Sequence, residues 1–204
     1  MVPGYQGARV RIAVEGDLRL PASVVTIGGF DGVHRGHQAL ITAAIGRARR
    51  LKVPALVWTF DPLPKVAFGK ARPLAPLGER LARIAALGPD WILVAPFTAA
   101  YAARSAATFL AALGQVGPRE VHVGGDFRFG AGQAGNVAML ARAFPTIVHA
   151  PVLCAAGQVV SSSRIRALRE AGQDGAAAEL LRSEAGAFLA GLIMLSHDLQ
   201  GHHA

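Results

Sequence analysis

The sequence predicts an α/β fold, a doubly wound parallel sheet with helices on both faces. Two observations carry this. Short, nearly continuous apolar runs rich in Val, Ile and Leu alternate along the chain with longer stretches of helical periodicity, the pattern of strand, crossover helix and parallel strand. The chain is 204 residues long, enough for one domain with a sizeable buried core.

The elements follow in order. Val24–Ile27 is β-branched and reads as the first strand, and His37–Leu51 as its crossover helix. Ala55–Thr59 is the second strand and runs into a loop containing Pro62, Pro64, Pro73 and Pro76. Leu77–Leu87 reads as a helix because Leu77, Leu81, Ile84 and Leu87 fall on one face. Trp91–Ala95 is a strand, Ala106–Leu113 a helix, and Glu120–Val123 a strand ending at Gly124-Gly125. Asn136–Ala143 is helical. Thr146–Val152 and Gln158–Val160 read as a small β subregion around the turn Ala155-Ala156-Gly157. Helices are expected at Ser163–Glu170 and Asp174–Arg182, followed by an apolar helical tail over Ala185–Leu195.

Composition narrows the function classes. No uninterrupted apolar run reaches the length of a membrane span, and Met1-Val2-Pro3-Gly4-Tyr5-Gln6 lacks the basic-then-apolar pattern of a signal peptide. Cys154 is the single cysteine, so an intramolecular disulfide is excluded and a reducing cytoplasm is expected. The net charge of +8 comes mainly from arginine, since only Lys52, Lys65 and Lys70 are lysines. Such a field draws in anionic small molecules. Nucleic acid is not the expected partner, because no aromatic-interleaved basic stretch appears. The cluster Arg47, Arg49, Arg50 and Lys52 reads as a solvated helix C-terminus complementing the helix dipole.

The most informative segment joins the first strand to its helix: Ile27-Gly28-Gly29-Phe30-Asp31-Gly32-Val33-His34-Arg35-Gly36-His37. Glycines permit tight turns and close backbone approach to a ligand, and a helix N-terminus attracts phosphate through free N–H groups and its dipole. Two imidazoles there can donate hydrogen bonds to charge building up on phosphate oxygens. Metal ligation by the pair is rejected: helical zinc ligands prefer an i, i+4 spacing with further ligands, and Cys154 lies far away. Ser161-Ser162-Ser163 before Ile165-Arg166 reads as a second helix start, either a plain serine cap or a second phosphate site with Arg166 adding charge. These segments follow expected strand ends, where α/β sheets bind ligands.

The segment G-x-F-D-G-V-H-x-G-H resembles the variant HIGH motif of the nucleotidylyltransferase superfamily, in the form found in bacterial FAD synthetases, the FMN adenylyltransferase modules of bifunctional riboflavin kinase/FAD synthetase. Three further blocks match in order: Thr59-Phe60-Asp61-Pro62-Leu63-Pro64, Gly124-Gly125-Asp126-Phe127-Arg128-Phe129-Gly130 and Ser161-Ser162-Ser163-Arg164-Ile165-Arg166. The likeness spans about residues 8–182. It implies a Rossmann-like sheet of the nucleotidylyltransferase type and transfer of AMP from ATP to FMN. It implies catalytic roles for His34, His37, Ser162 and Arg166, and ATP contacts from Gly28, Gly29, Phe30, Asp31, Gly36, Ser161 and Ser163. Pro62, Pro64, Asp126, Phe127, Arg128 and Phe129 would meet FMN. Some of these keep a structural alternative: a turn cap for Asp31, hydrophobic core for Phe127 more than for Phe129, and an exposed loop arginine for Arg128. Magnesium would travel with ATP, held mainly by phosphates and water, with no protein metal site.

Three departures accompany the resemblance. Leu63 stands where the family usually has histidine, Gly125 where an acidic residue is common, and Gly29 in place of asparagine. The expected organisation is an adenylyltransferase domain over 1–182 and a helical tail over 183–204, with no riboflavin kinase domain. A nucleotidyltransferase for another phosphorylated acceptor, and a non-catalytic nucleotide- or flavin-binding paralogue, remain as rival readings.

Overall fold

The computed structural model describes residues 10–182. Its strands are β1 (Arg11–Val14), β2 (Ser23–Ile27), β3 (Ala55–Asp61), β4 (Trp91–Pro96), β5 (Pro118–Gly124), β6 (Arg128–Phe129), β7 (Gly135–Asn136) and β8 (Thr146–His149). Its helices are α1 (Arg35–Leu51), α2 (Pro64–Ala67), α3 (Leu77–Ala85), α4 (Ala99–Ala102), α5 (Ala106–Gly114), α6 (Val137–Ala143), α7 (Ser162–Glu170) and α8 (Asp174–Leu181). Six strands make a sheet in the order β1-β4-β3-β2-β5-β8, every neighbouring pair parallel. β6 and β7 form a separate antiparallel pair.

The sheet is covered on both faces because its central strands are apolar on both. All five residues of β2 and the first six of β3 are buried. Val25, Ile27, Leu56, Trp58, Leu93, Val121 and Val123 face Phe109 and Leu113 of α5. Val24, Ala55, Val57 and Ile92 face Ile41, Ala44, Ile45 and Ala48 of α1 and Leu81 and Ile84 of α3. The α1 set recurs at three- and four-residue steps, one face of a 3.6-residue helix. A smaller core joins α7 and α8 through Ile165, Ala177, Leu180 and Val160.

The predicted fold class stands, with corrections of detail. β1 had no counterpart among the expected strands; it is an edge strand whose four residues are largely exposed. The run from Thr146 stops as a strand at His149 and pairs with β5 in the main sheet. Beyond it, the expected strand Gln158–Val160 is a single antiparallel bridge, Leu153 to Val159, across the Cys154–Gly157 turn. The fourth motif block therefore follows a turn rather than a strand end. The tail over 183–204 lies outside the described residues.

Candidate active site

The strand order reverses between β2 and β5: from β2 the chain winds outward through β3 and β4, then crosses back to β5 and β8. In sheets of this kind the carboxyl ends at such a point frame the binding crevice. The first motif leaves β2 there and the third leaves β5 beside it, with Thr26 in register with His122.

After Ile27 the backbone turns sharply. Phe30 and Val33 take left-handed conformations at φ 51° and 48°, and Gly32 lies at φ 73°. Left-handed backbone costs a side-chain-bearing residue about 1–2 kcal/mol, so burial must hold both residues, and each is essentially fully buried. A Cβ at Gly32 would lie 2.9 Å from Leu181 and 3.1 Å from Leu74. Glycine is required there on both counts.

His34 caps α1: its Nδ1 accepts the backbone N–H of His37 at 3.3 Å. That bond settles the tautomer. With Nδ1 an acceptor, neutral His34 carries its proton on Nε2, which is then a donor. The rings of His34 and His37 stack with centroids 3.5 Å apart and planes 19° apart, and Phe30 meets His37 edge-on at 5.3 Å. A Cβ at Gly36 would lie 3.3 Å from the His34 ring, so glycine leaves that ring its place. Burial lowers the His34 pKa from 6.5 to about 4. Burial, then proximity to His34, holds His37 well below the usual imidazole range. His37 Nδ1 is buried with no hydrogen-bond partner among the described residues. A buried polar atom left bare is costly, and a ligand atom can satisfy it.

The first and fourth blocks meet directly. Ser162 Oγ donates to the Asp31 carbonyl at 3.1 Å, and the Arg166 guanidinium pairs with the Asp31 carboxylate. Arg166 Nε also donates to the Arg72 carbonyl at 2.8 Å, while Asp31 Oδ1 accepts the Leu74 N–H at 2.8 Å. Asp31 thus holds α7, the Arg72–Leu74 loop and the motif turn together, and its side chain is committed to protein contacts. Ser161 caps α7 by accepting the Arg164 N–H at 3.3 Å, and Ser163 is exposed. Cys154 accepts from Arg164 Nη1 at 3.4 Å.

The second block is tied to the first by Thr59, whose hydroxyl donates to the Gly29 carbonyl at 3.1 Å. Leu63 is buried over Gly29, its Cδ2 3.3 Å from where a Cβ would stand. The two departures noted in the sequence are therefore in contact: leucine fills space that an asparagine at 29 would share. Pro62 is exposed and Pro64 half-buried at the start of α2.

In the third block Phe127 and Phe129 stack, centroids 5.6 Å apart, which agrees with side chains two residues apart sharing a face. Their burial reverses the expected order. Phe129 packs into the core against Phe109 at 5.0 Å, and a Cβ at Gly135 would lie 2.5 Å from its ring, whereas Phe127 is half-buried. Asp126 and Arg128 are exposed, Arg128 Nη1 donating to the Phe127 carbonyl at 2.9 Å.

The sequence reading missed the role of Thr59, and it missed a polar cluster beneath the rim. Arg47 is not merely solvated: its Nε and Nη2 hold the Glu120 carboxylate at 2.8 and 2.6 Å. Glu120 in turn faces His122, which contacts His149.

The family model described as FAD synthetase matches residues 18–164. The chain belongs to the FAD synthetase family. A Geobacillus thermodenitrificans protein that carries the provisional name bifunctional riboflavin kinase/FMN adenylyltransferase is 49% identical over 156 residues, 76% of this chain and 87% of that one. The bifunctional riboflavin kinase/FMN adenylyltransferase of Escherichia coli K12 is 35% identical over 152 residues, 70% of this chain, but only 49% of its own length is covered. A solved structure from Streptococcus pneumoniae titled macrolide-efflux protein superposes with a TM-score of 0.74 at 26% identity, over 85% of this chain and 70% of that one. Among the described residues of this FAD synthetase family member, no helix is long and apolar enough to cross a membrane.

Proposed function

We propose that the chain is an FMN adenylyltransferase, joining AMP from ATP to FMN to give FAD and pyrophosphate. The observation that carries this reading is the stacked His34–His37 pair at the start of α1, fastened through Asp31 to the serine-capped start of α7 at the strand-order switch. Two helix starts and two imidazoles converge on one crevice, a site suited to a polyphosphate.

An oxygen of the FMN phosphate attacks the α-phosphorus of ATP, and the bond from that phosphorus to the bridging oxygen of the β-phosphate breaks, releasing pyrophosphate. The nucleophile is already ionised, so catalysis rests on positioning and on donors aimed at developing charge. His34 Nε2–H and His37 supply such donors, with Ser161, Ser163 and the backbone of Gly28, Gly29, Phe30 and Gly36 around the nucleotide. Because both imidazoles are neutral in the free protein, the triphosphate charge itself draws protons onto the pair when it binds. Ser162 and Arg166 act in the same region, and by their contacts they set the position of the Asp31 turn. Magnesium enters with ATP on its phosphate oxygens. Pro62, Pro64 and Phe127 would line the flavin, with Asp126 and Arg128 at its exposed edge; Phe129, expected to share that wall, instead supports the Phe127 ring from the core. A single cysteine and anionic small-molecule substrates fit a cytoplasmic enzyme.

One observation favours a second reading. Leu63, buried over Gly29, offers no hydrogen bond where relatives usually carry an imidazole, as in a paralogue that binds nucleotide or flavin without catalysis. Incubating the purified chain with ATP, magnesium and FMN separates the readings. FAD and pyrophosphate in equal amounts support the proposal. FMN binding without turnover supports the paralogue, and ATP binding without FMN binding points to another acceptor.

A further inference from the structure

Helix α3 packs on the same face of the sheet as α1 and sends one arginine to each of the first two motif blocks. Arg80 and Arg83 are three positions apart, so their side chains leave neighbouring points of the helix surface. Arg80 Nη2 donates to the Phe60 carbonyl at 2.7 Å and lies 3.2 Å from Asp61 Oδ1. Arg83 Nη1 donates to the Gly32 carbonyl at 3.0 Å. The first contacts grip the corner where β3 ends and Pro62-Leu63-Pro64 begins. The second grips the left-handed turn between β2 and α1.

A guanidinium this deeply buried is costly, and well-packed apolar residues often replace a buried ion pair without loss of stability. Arg80 is 1% exposed, between the apolar contacts of Leu77, Leu81 and Ile84. Burial pulls its pKa down, the Asp61 and then the Asp31 carboxylates act against that, and Nε keeps no hydrogen-bond partner among the described residues. What the cation provides is a fixed corner. Arg80 holds the Asp61 side chain from α3 while the Asp61 carbonyl accepts the Phe97 N–H at 2.9 Å. The approach to α3 is fixed as well: Leu74 donates its N–H to Asp31, and its carbonyl accepts from Arg169 Nη1 at 3.3 Å.

We propose that Arg80 and Arg83 are positioning residues that set the spacing between the flavin loop and the nucleotide turn, an inference that rests on the adenylyl-transfer reading above. ATP is held at the turn that Arg83 grips, and FMN against the loop that Arg80 grips. The span of α3 between the two arginines then fixes how far the FMN phosphate stands from the α-phosphorus. Neither arginine touches the reacting atoms. A displacement of about 1 Å between reactants costs on the order of a hundredfold in rate, while each substrate still meets its own intact wall. The signature is a loss of kcat with little loss of affinity.

Three quantities on the full chain test this. They are kcat for FAD formation, FMN affinity and stoichiometry by fluorescence quenching, and affinity for α,β-methylene-ATP with magnesium, whose bridging carbon blocks the bond that breaks. Arg80→Met keeps an apolar stem and lowers kcat per FMN-binding site by about tenfold or more, with both affinities within about twofold of the parent. Arg80→Lys recovers most of the rate, since both contacts run through one nitrogen that an ammonium can replace. Arg83→Ala, altered at a partly exposed side chain, lowers kcat about fivefold, the scale of one hydrogen bond. Counting FMN-binding sites removes misfolded protein from the rate; where Arg80→Met does not fold, Asp61→Asn and Arg83→Ala carry the same test. Parental kcat per site in the variants, with or without weakened affinity, overturns the inference and leaves adenylyl transfer standing. A lysine variant no faster than the methionine one overturns it too. If the parent chain forms no FAD, both the reading and this inference fall.

Discussion

Lowering the pH should reveal the cost of charging His34. Its pKa falls from 6.5 to about 4 because the ring is buried while it caps α1. Each unit corresponds to about 1.36 kcal/mol, so protonating it in the folded chain costs on the order of 3 kcal/mol more than in the unfolded chain. The sign follows: the folded pKa lies below the unfolded one, so the unfolded chain takes up the proton first as pH drops. The stability contribution is complete above about pH 6.5 and is lost progressively as pH falls toward 4. His37, lowered in the same direction, adds to the loss. ATP should reverse the shift, since phosphate charge beside the ring favours the protonated form. Nitrogen-15 spectra recorded across a pH series, with and without ATP, measure this directly. His34 should titrate near pH 4 in the free chain and well above it in the complex. An ordinary titration near 6.5 in the free chain, or no change with ATP, would refute the placement of this ring against the phosphates.

Other expectations follow from single contacts. Asp31→Ala leaves the partly buried Arg166 without its carboxylate and frees the Leu74 N–H; breaking such a pair costs about 3–5 kcal/mol, and a thermal or urea melt should show it. Phe129→Ala should destabilise the chain by about 3–5 kcal/mol as a core truncation, whereas Phe127→Ala should melt closer to the parent while weakening quenching of FMN fluorescence. An equal melt for the two variants would contradict their different burial. Leu63→His buries a polar ring over Gly29 at a cost of about 1–3 kcal/mol if it finds no partner, and should change kcat more than FMN affinity; a pure affinity change would place residue 63 in binding alone.

The parts of the fold legible in the sequence were those with strong local signals. β2 and α1 were readable because an apolar run, a glycine turn and a face of Ile41, Ala44, Ile45 and Ala48 are consecutive in the chain. β1 was not, since four mostly exposed residues beginning with arginine gain strand character only from pairing with β4. The β6–β7 pair is two residues long on each side, too short for any periodicity. For Phe127 and Phe129 the spacing showed a shared face but not which ring the core would take; Gly135 and Phe109, both distant in sequence, decide that. The motif blocks themselves were legible, yet the Asp31–Arg166 contact spans the length of the domain. His122 and His149 carried no signal at all, because their relation exists only through the β5–β8 register.

The central claim is that AMP transfer occurs at the start of α1 and depends on its two imidazoles. It is tested most directly by following the α-phosphate of labelled ATP into FAD in the parent chain and in His37→Ala. Loss of one transition-state donor costs about 3 kcal/mol, roughly a hundredfold in kcat, while FMN binding by fluorescence quenching should remain near the parent value. Label entering FAD in the parent and slowed to that degree in the variant is the predicted result; undiminished label transfer in His37→Ala would contradict the account.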